Sequence, residues 1–425
     1  MIFSPSSSSS SPIKYPPGPH SVLPNKLLRK FVHNPIKTLM DIAYTYGDIA
    51  HFKFGRQHIY LLNNPYYIED VLIRNYKNFI KSRGLQVSKR LLGEGLVTSE
   101  GEYHDRQRRI IQPVFHPNLI KTYGDTMTTY AVDMCQRWHD GDTLDIHNEM
   151  IHVTSAIICK AVLGSDIKSE EGDQVGDALL TSGEYFNRLL MPFGELIEKI
   201  PILPINKGFQ HAKKKLDSIV YTMIKEHRNN ESQGIPQTDL LYTLLQAQDA
   251  EAGIGQMTDS QLRDEVMTIF LAGHETTANA LTWTFYLLSQ NPTVGAKLYE
   301  ELCYVLGGGG NKDDSSSNKR IPTVEDVPKL EYTEKVFRES MRLYPPAWTI
   351  GRQAINDYNI DKYVIPAGSI ILMSQYVMHH NPRYFSDPEL FYPDRWTRET
   401  KLQLPRFSYF PFGGGIRGCV GEPFA

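Results

Sequence analysis

Apolar residues recur at helical spacing from Pro35 to Tyr46, at Ile36, Leu39, Met40 and Ala43, and Gly47 stops the run. Residues 49–54 and 57–62 read instead as two strands around Gly55, which predicts a hairpin. Asn64-Pro65 opens another helix. From about residue 102 to 303 the pattern is almost wholly helical, punctuated at Pro113, Pro117, Gly141, Gly164, Pro192, Pro201 and Pro204. One helix stands out. Thr258 and Gln261 form a capping-box pattern, and the periodic run ends at Asn291-Pro292. Such a helix is about 32 residues, or roughly 48 Å, long. Its middle, Met267 to Phe285, is mostly apolar, which predicts burial on several sides and a path across the whole molecule. Four glycines from Gly307 and the polar stretch to Arg320 predict a surface loop. A helix at about 329–344 follows, then strands at Tyr363–Ile365 and Ile370–Met373, then a Pro-rich loop. The chain shows no internal repeat. The expected fold is mainly α with a small β-rich portion.

Composition narrows the class. The 425 residues are 41% hydrophobic and 22% charged, an ordinary globular balance that excludes wholesale disorder. Length alone allows about three domains or one large single-core enzyme. Lys and Arg number 45 against 48 Asp and Glu, so nothing suggests a nucleic-acid partner. Four cysteines (Cys135, Cys159, Cys303, Cys419) do not make a disulfide scaffold, and a reducing, cytoplasmic setting is expected. No apolar run is long enough for a transmembrane segment. Residues 4–12 read SPSSSSSSP, so 1–19 are expected to be a disordered Ser/Pro-rich tail. That stretch lacks the apolar segment of a secretory signal or an anchor. Its acid-poor, Ser-rich start is only faintly reminiscent of a transit peptide. Pro16-Pro17-Gly18-Pro19 is stiff and should direct the chain onto the body, leaving 20–425 as one domain.

The chemistry concentrates in four places. Phe412-Gly413-Gly414-Gly415-Ile416-Arg417-Gly418-Cys419-Val420-Gly421 puts three glycines before a cysteine, so the backbone turns tightly there. A helix starting after Cys419 would favour a thiolate through its N-terminal amides. One sulfur with no second Cys or His at finger spacing is not a zinc site, but it suits one axial position on a heme iron. Arg417 would then pair with a propionate. A glycine turn beside an inert cysteine fits the segment alone equally well. Inside the long helix, Ala272-Gly273-His274-Glu275-Thr276-Thr277 sets an acid and a hydroxyl in an apolar stretch. A proton relay is one reading. A threonine back-bonding its own helix, with a solvated acid and a structural His274, is the other. Glu339 and Arg342 share a helix face at i, i+3, and Arg395 sits in an aromatic loop downstream; a surface pair or a buried Arg–Glu–Arg cluster would both fit. His104 and Arg108, at i, i+4, either hold a carboxylate or form a solvated face.

Taken together and in this order, these pieces resemble the cytochrome P-450 superfamily of heme-thiolate monooxygenases. The cysteine loop is similar to the family's F-G-x-G-x-R-x-C-x-G pattern, 272–277 to A-G-x-[DE]-T-T, Glu339-x-x-Arg342 to E-x-x-R, and Arg395 to the Pro-Arg-aromatic motif that follows. The resemblance runs from the proline run at 16–19 to the end. It implies a mainly α, cytochrome P-450-like fold with the long central helix over the heme. It implies Cys419 as the iron ligand, Phe412 and Gly413 against the sulfur side, and Arg417, His104, Arg108 and Arg352 as propionate partners. It implies Thr276 and Glu275 for oxygen activation and proton delivery, and Glu339, Arg342 and Arg395 as a structural cluster. Ala272, Thr276 and Ala347-Trp348-Thr349-Ile350 would face the substrate.

The implied activity is O2-dependent insertion of one oxygen atom into an apolar small molecule. The cofactor would be heme b (iron protoporphyrin IX). Electrons would come from a separate ferredoxin, flavodoxin or reductase, so NAD(P)H would act only indirectly. A peroxygenase or isomerase-type enzyme, or a non-catalytic heme-binding fragment, are the alternatives. His104 stands where many members have Trp, and Ile416 where Pro is frequent. The chain ends six residues after Cys419, so it is expected to lack the end of its C-terminal helix and the terminal sheet. Phe186, Leu189, Leu190, Met191 and Phe193 suggest a fatty acid or terpenoid substrate, although ordinary helix packing accounts for them as well.

Overall fold

A computed structural model describes residues 14–19, 26–164, 169–190, 194, 198–234, 239–246, 257–307 and 320–425. The central helix spans Asp259–Gln290, 32 residues, as the periodicity predicts. Its start is fixed by the reciprocal cap: the Thr258 N–H donates to Gln261 Oε1 (2.9 Å) and the Gln261 N–H to Thr258 Oγ1 (3.3 Å). Its first half is packed on all sides through Leu262, Val266, Met267, Ile269 and Phe270. The helix Ile146–Leu163, capped by Asp145 and closed by left-handed Gly164, lies against it. Gly273 permits this approach, since a Cβ there would sit 2.8 Å from Ile158 Cδ1. The helices Ser169–Leu190 and Pro204–Ser232 cross nearby, with Tyr185 and Phe209 stacked at 4.1 Å.

Among the described residues the β portion is a five-stranded sheet ordered β1 (Ile49–Phe54), β2 (Gln57–Leu62), β7 (Ile370–Met373), β4 (Ile350–Ala354), β3 (Phe79–Lys81), and a separate pair of β5 (Tyr358–Ile360) and β6 (Tyr363–Ile365). β1 and β2 form the expected hairpin. β7 runs parallel to β2, with Leu62 opposite Met373. β3, β4 and β5 are additions to the expected strands; β6 is the expected Tyr363–Ile365. Three residues give no readable alternation, and β4 reads Ile-Gly-Arg-Gln-Ala, too polar to announce itself. The helix expected at about 329–344 is Glu331–Leu343.

Residues 14–19 belong to this body, which corrects the tail boundary placed at 19. The His51 N–H donates to Pro17 O (3.0 Å), and Tyr15 stacks on His51 at 4.6 Å. Gly18 lies so close to β1 that a Cβ would meet the His51 carbonyl oxygen at 1.7 Å. The rest of the expected tail, 1–13, and most of the Gly307–Arg320 loop lie outside the described residues, and so do Met191 and Phe193. Phe186 and Leu189 pack into the core around Tyr185 and Phe209, so helix packing explains them. Among the described residues no helix is long and apolar enough to cross a membrane.

Candidate functional site

The cysteine loop is built from the sheet side. Phe407 and Phe410 are buried in the core that lines the sheet, which anchors the chain before the glycines. Phe407 holds a φ of 67°, unusual for an aromatic residue. Strain of about 1–3 kcal/mol there is matched by the roughly 1.5–3 kcal/mol that burying one such ring contributes. The turn then closes through the Gly413 N–H on Phe410 O (2.9 Å) and the Cys419 N–H on Phe412 O (2.9 Å). Gly415, at φ 70°, presses on the Leu72 carbonyl, 2.3 Å from where a Cβ would stand. Phe412 is half-buried and Cys419 exposed on one side. Protein crowds the sulfur elsewhere, so burial pushes the thiol up; the amides of Gly421 and Glu422 and the Arg108 charge pull it back down. Arg108 Nη1 donates to Gly418 O (2.7 Å), so it braces the residue beside the sulfur. Among the described residues no group of three or more His, Cys, Asp or Glu is set to hold a metal ion.

Next to this loop is a buried cationic pocket. Lys81, Arg352 and His104 are 4%, 6% and 1% exposed, and Arg417 is half-buried. Arg417 pairs with Glu100, whose other oxygen accepts the Lys81 N–H (2.6 Å). Burial and the Arg417 charge push Lys81 down to about 7 and Arg352 to about 10. Burial pushes His104 down to about 4 despite Asp105 at 3.1 Å, with Lys81 and Arg417 adding to the effect. Glu100 is the one carboxylate set against Lys81, Arg352 and Arg417 in those interactions. Arg417 Nε and Nη1 are buried with no hydrogen-bond partner. Unpaired buried cations are costly, so the pocket is complementary to a ligand bearing carboxylates. Heme, with two propionates, fits that requirement.

Sequence reasoning missed Lys81 and Glu100, and with them the loop they hold. Lys81 Nζ donates to Leu96 O (2.9 Å) and Ser99 O (2.6 Å). From the other side the central helix accepts the Glu94 N–H on Asp264 (2.8 Å) and the Leu96 N–H on Glu265 (2.9 Å). Glu265 is fully buried, and burial pushes its carboxyl up to about 8. No spacing signal marks Lys81, because its partners are backbone carbonyls.

On the central helix, Ala272, Glu275 and Thr276 are exposed while Phe270, His274 and Ala278 are buried. The packed first half of the helix therefore opens here, and the expected burial does not extend to its end, since Trp283, Phe285 and Tyr286 are exposed. Thr276 Oγ1 donates to Ala272 O (2.5 Å), the helix back-bond of the second reading, and with Glu275 exposed and His274 buried the segment as it stands matches that reading. His274 is core: it stacks on Phe270 at 5.2 Å and burial pushes it down. Gly273 is filled by Ile158, so only Ala272 of that pair leaves room on the open side. In the 347–350 segment Ala347 is exposed, whereas Trp348 packs against the core under the 35–46 helix, away from the expected substrate role.

Behind the loop, Glu339 gathers four donors. Arg342 donates from Nε and Nη2 (both 2.9 Å), Arg395 from Nε (2.8 Å), Trp396 from Nε1 (3.0 Å), and the Tyr392 amide adds another at 3.0 Å. Remaining guanidinium hydrogens go to the carbonyls of His379, Pro388, Leu390 and Ser386. Glu339 and Arg342 are fully buried, so the surface-pair alternative does not hold.

The cytochrome P-450 family model matches residues 15–425. Cyclooctatin synthase of Streptomyces melanosporofaciens is 35% identical over 392 residues, covering 92% of this chain and 82% of that protein. Cyclooctat-9-en-7-ol 5-monooxygenase of the same organism is also 35% identical, covering 92% and 81%. Pentalenene oxygenase of Streptomyces avermitilis is 29% identical, covering 94% and 84%.

Proposed function

The chain belongs to the cytochrome P-450 family as a monooxygenase acting on an apolar substrate, and from that premise we propose that it hydroxylates an alicyclic, terpenoid-type molecule, using heme b and electrons from a separate partner. The relatives' names carry an alkene, pentalenene, and an alkenol, cyclooctat-9-en-7-ol, which supports that substrate class. The observation that carries the heme assignment is the unsatisfied cationic pocket beside a single-cysteine loop.

Cys419 is the proposed iron ligand; burial and the Glu422 charge hold its thiol above the ordinary value, the Gly421 and Glu422 amides and Arg108 oppose that rise, and a bound metal cation would favour the thiolate. Arg417, Arg352, Lys81 and His104 would hold the propionates, with Arg108 beside them on Gly418 O, and Phe412 and Gly413 would keep water from the sulfur. Bound there, heme b supplies the iron that activates O2. Ala272 leaves space on the open stripe of the central helix. Thr276 accepts or passes a proton at Oγ1, and Glu275, open to solvent, replenishes it. Putting one oxygen atom into substrate and the other into water consumes two electrons and two protons. A donor is therefore required, and a ferredoxin, flavodoxin or reductase drawing on NAD(P)H supplies it.

The test is the carbon monoxide difference spectrum of the reduced chain with heme supplied. A red-shifted, thiolate-type Soret band is expected in the parent and absent in Cys419→Ala. A Cys419→Ala protein with an unchanged band would remove Cys419 from the iron. Thr276→Ala should keep the band but release reduced oxygen without product. Product formation driven by peroxide alone and indifferent to Thr276→Ala would favour a peroxygenase.

A further inference from the structure

One fully buried residue joins the ionic cluster to the cysteine loop without belonging to either. His379 ends the short helix Gln375–His379, which Ser374 caps. Its carbonyl accepts from Arg342 Nη1 (2.9 Å), and its Nε2 lies 3.0 Å from the Phe410 amide nitrogen. A backbone N–H can only donate, so Nε2 is the acceptor there and carries no proton. The imidazole is therefore neutral, with its proton on Nδ1, which is buried and meets no acceptor at hydrogen-bond geometry. Burial, helped by the neighbouring His380 and Arg342, pushes this histidine down to about 3, in keeping with that tautomer. Its ring is fixed between Tyr409 (4.9 Å) and the edge of Phe410 (5.7 Å). Tyr409 in turn donates to Arg338 O (3.0 Å) and packs on Trp396, which is bonded to Glu339.

Phe410 is where the loop takes its direction. Its carbonyl accepts the Gly413 N–H, and two residues on Phe412 O accepts the Cys419 N–H. A shift of Phe410 therefore reaches the sulfur-bearing residue through two hydrogen bonds. We infer that His379, as a neutral Nδ1–H imidazole, is the positioning residue through which the Glu339–Arg342–Arg395 cluster sets the cysteine loop. The inference rests on the reading of Cys419 as the iron ligand for its consequence, but not for its geometry.

The experiment compares His379→Met with His379→Gln in the full chain. Methionine fills the space with no strong acceptor; glutamine can place Oε1 close to where Nε2 stands and so keep an acceptor for the Phe410 N–H. Two readouts are taken: hydrogen exchange of the peptide containing Phe410, and the thiolate-type band of the reduced carbon monoxide complex. Met should speed exchange at Phe410 roughly tenfold, the loss of one buried hydrogen bond, and should lose most of the thiolate band. Gln should restore both. A Met variant that exchanges as slowly as the parent overturns the inference, and so does a folded Gln variant that behaves like Met. If Met does not fold, the parent-to-Gln comparison decides by the same criterion. A parent without the thiolate band would sink the Cys419 reading instead, while the exchange data still judge His379.

Discussion

Two buried charged clusters flank the cysteine loop, and they are built on opposite principles. Around Glu339 the charges are closed: two guanidiniums, an indole and a backbone amide fill the carboxylate, and the spare guanidinium hydrogens end on carbonyls. Around Arg417 they are open: Glu100 faces Lys81, Arg352 and Arg417, and two guanidinium nitrogens of Arg417 have no partner. A closed cluster is complete without a ligand and specifies shape. An open one holds its charges at a cost until something anionic arrives. Burial with saturation thus marks scaffold, and burial without saturation marks a binding site.

The largest effect should come from breaking the closed cluster. Glu339→Ala strands Arg342 and Arg395 in the interior, a loss of about 3–5 kcal/mol. Urea unfolding of the heme-free chain should show it directly, before any question of cofactor arises. A Glu339→Ala protein as stable as the parent would mean that the cluster is not the closed unit described here.

The open cluster should respond in the other order. Arg417→Gln removes a donor the heme-free protein does not fully use, so heme-free stability should change little. Heme affinity should fall by about 1.5–3 kcal/mol, roughly ten- to a hundredfold, for each charge-assisted bond lost. Equal losses in the heme-free and heme-loaded states would make Arg417 a structural residue like Arg342.

How much of this was legible follows the same division. The central helix was readable because its cap, Thr258 with Gln261, and its stop, Asn291-Pro292, are local signals. So was the hairpin at 49–62. Glu339 and Arg342 stand three apart on one helix, which makes the pair visible, but its burial depends on backbone carbonyls from residues 379–390 that no pattern marks. Lys81 sits in a three-residue strand and answers to carbonyls at 96 and 99. His379 is one of two adjacent histidines, both buried, and only the fold separates their roles. Side chains that pair with main chain leave no trace in residue types.

A more gradual effect, spread over several pH units, concerns the loop between the open cluster and the central helix. Glu265 has its folded-state carboxyl raised to about 8 by burial, above its ordinary value near 4.5. The folded protein therefore holds a proton that the unfolded chain gives up. That contribution to stability is full below about pH 4.5 and is lost as pH rises through 8, with a slope of at most about 1.4 kcal/mol per pH unit. Glu265→Gln, which keeps an acceptor for the Leu96 N–H, should flatten this decline in urea titrations between pH 5 and 8. An unchanged slope would mean that Glu265 stays ionised.

The smallest effect is the sharpest test of openness, because it reads the empty charge itself. With no anion present, burial and Arg417 hold Lys81 near 7, and Arg352 adds to that push while Glu100 opposes it. At pH 8 much of Lys81 is then neutral. A ligand bringing two carboxylates favours the charged form and raises Lys81 back toward its ordinary value, so binding must take up a fraction of a proton. Calorimetric heme titrations at pH 8 in buffers of different ionisation enthalpy should report that uptake, and affinity should weaken as pH climbs above 7. Lys81→Met should abolish the uptake while leaving the Glu339 cluster untouched. If binding is proton-neutral at pH 8 in both proteins, Lys81 is already charged, its bonds to Leu96 O and Ser99 O satisfy it, and the pocket is less open than its geometry implies.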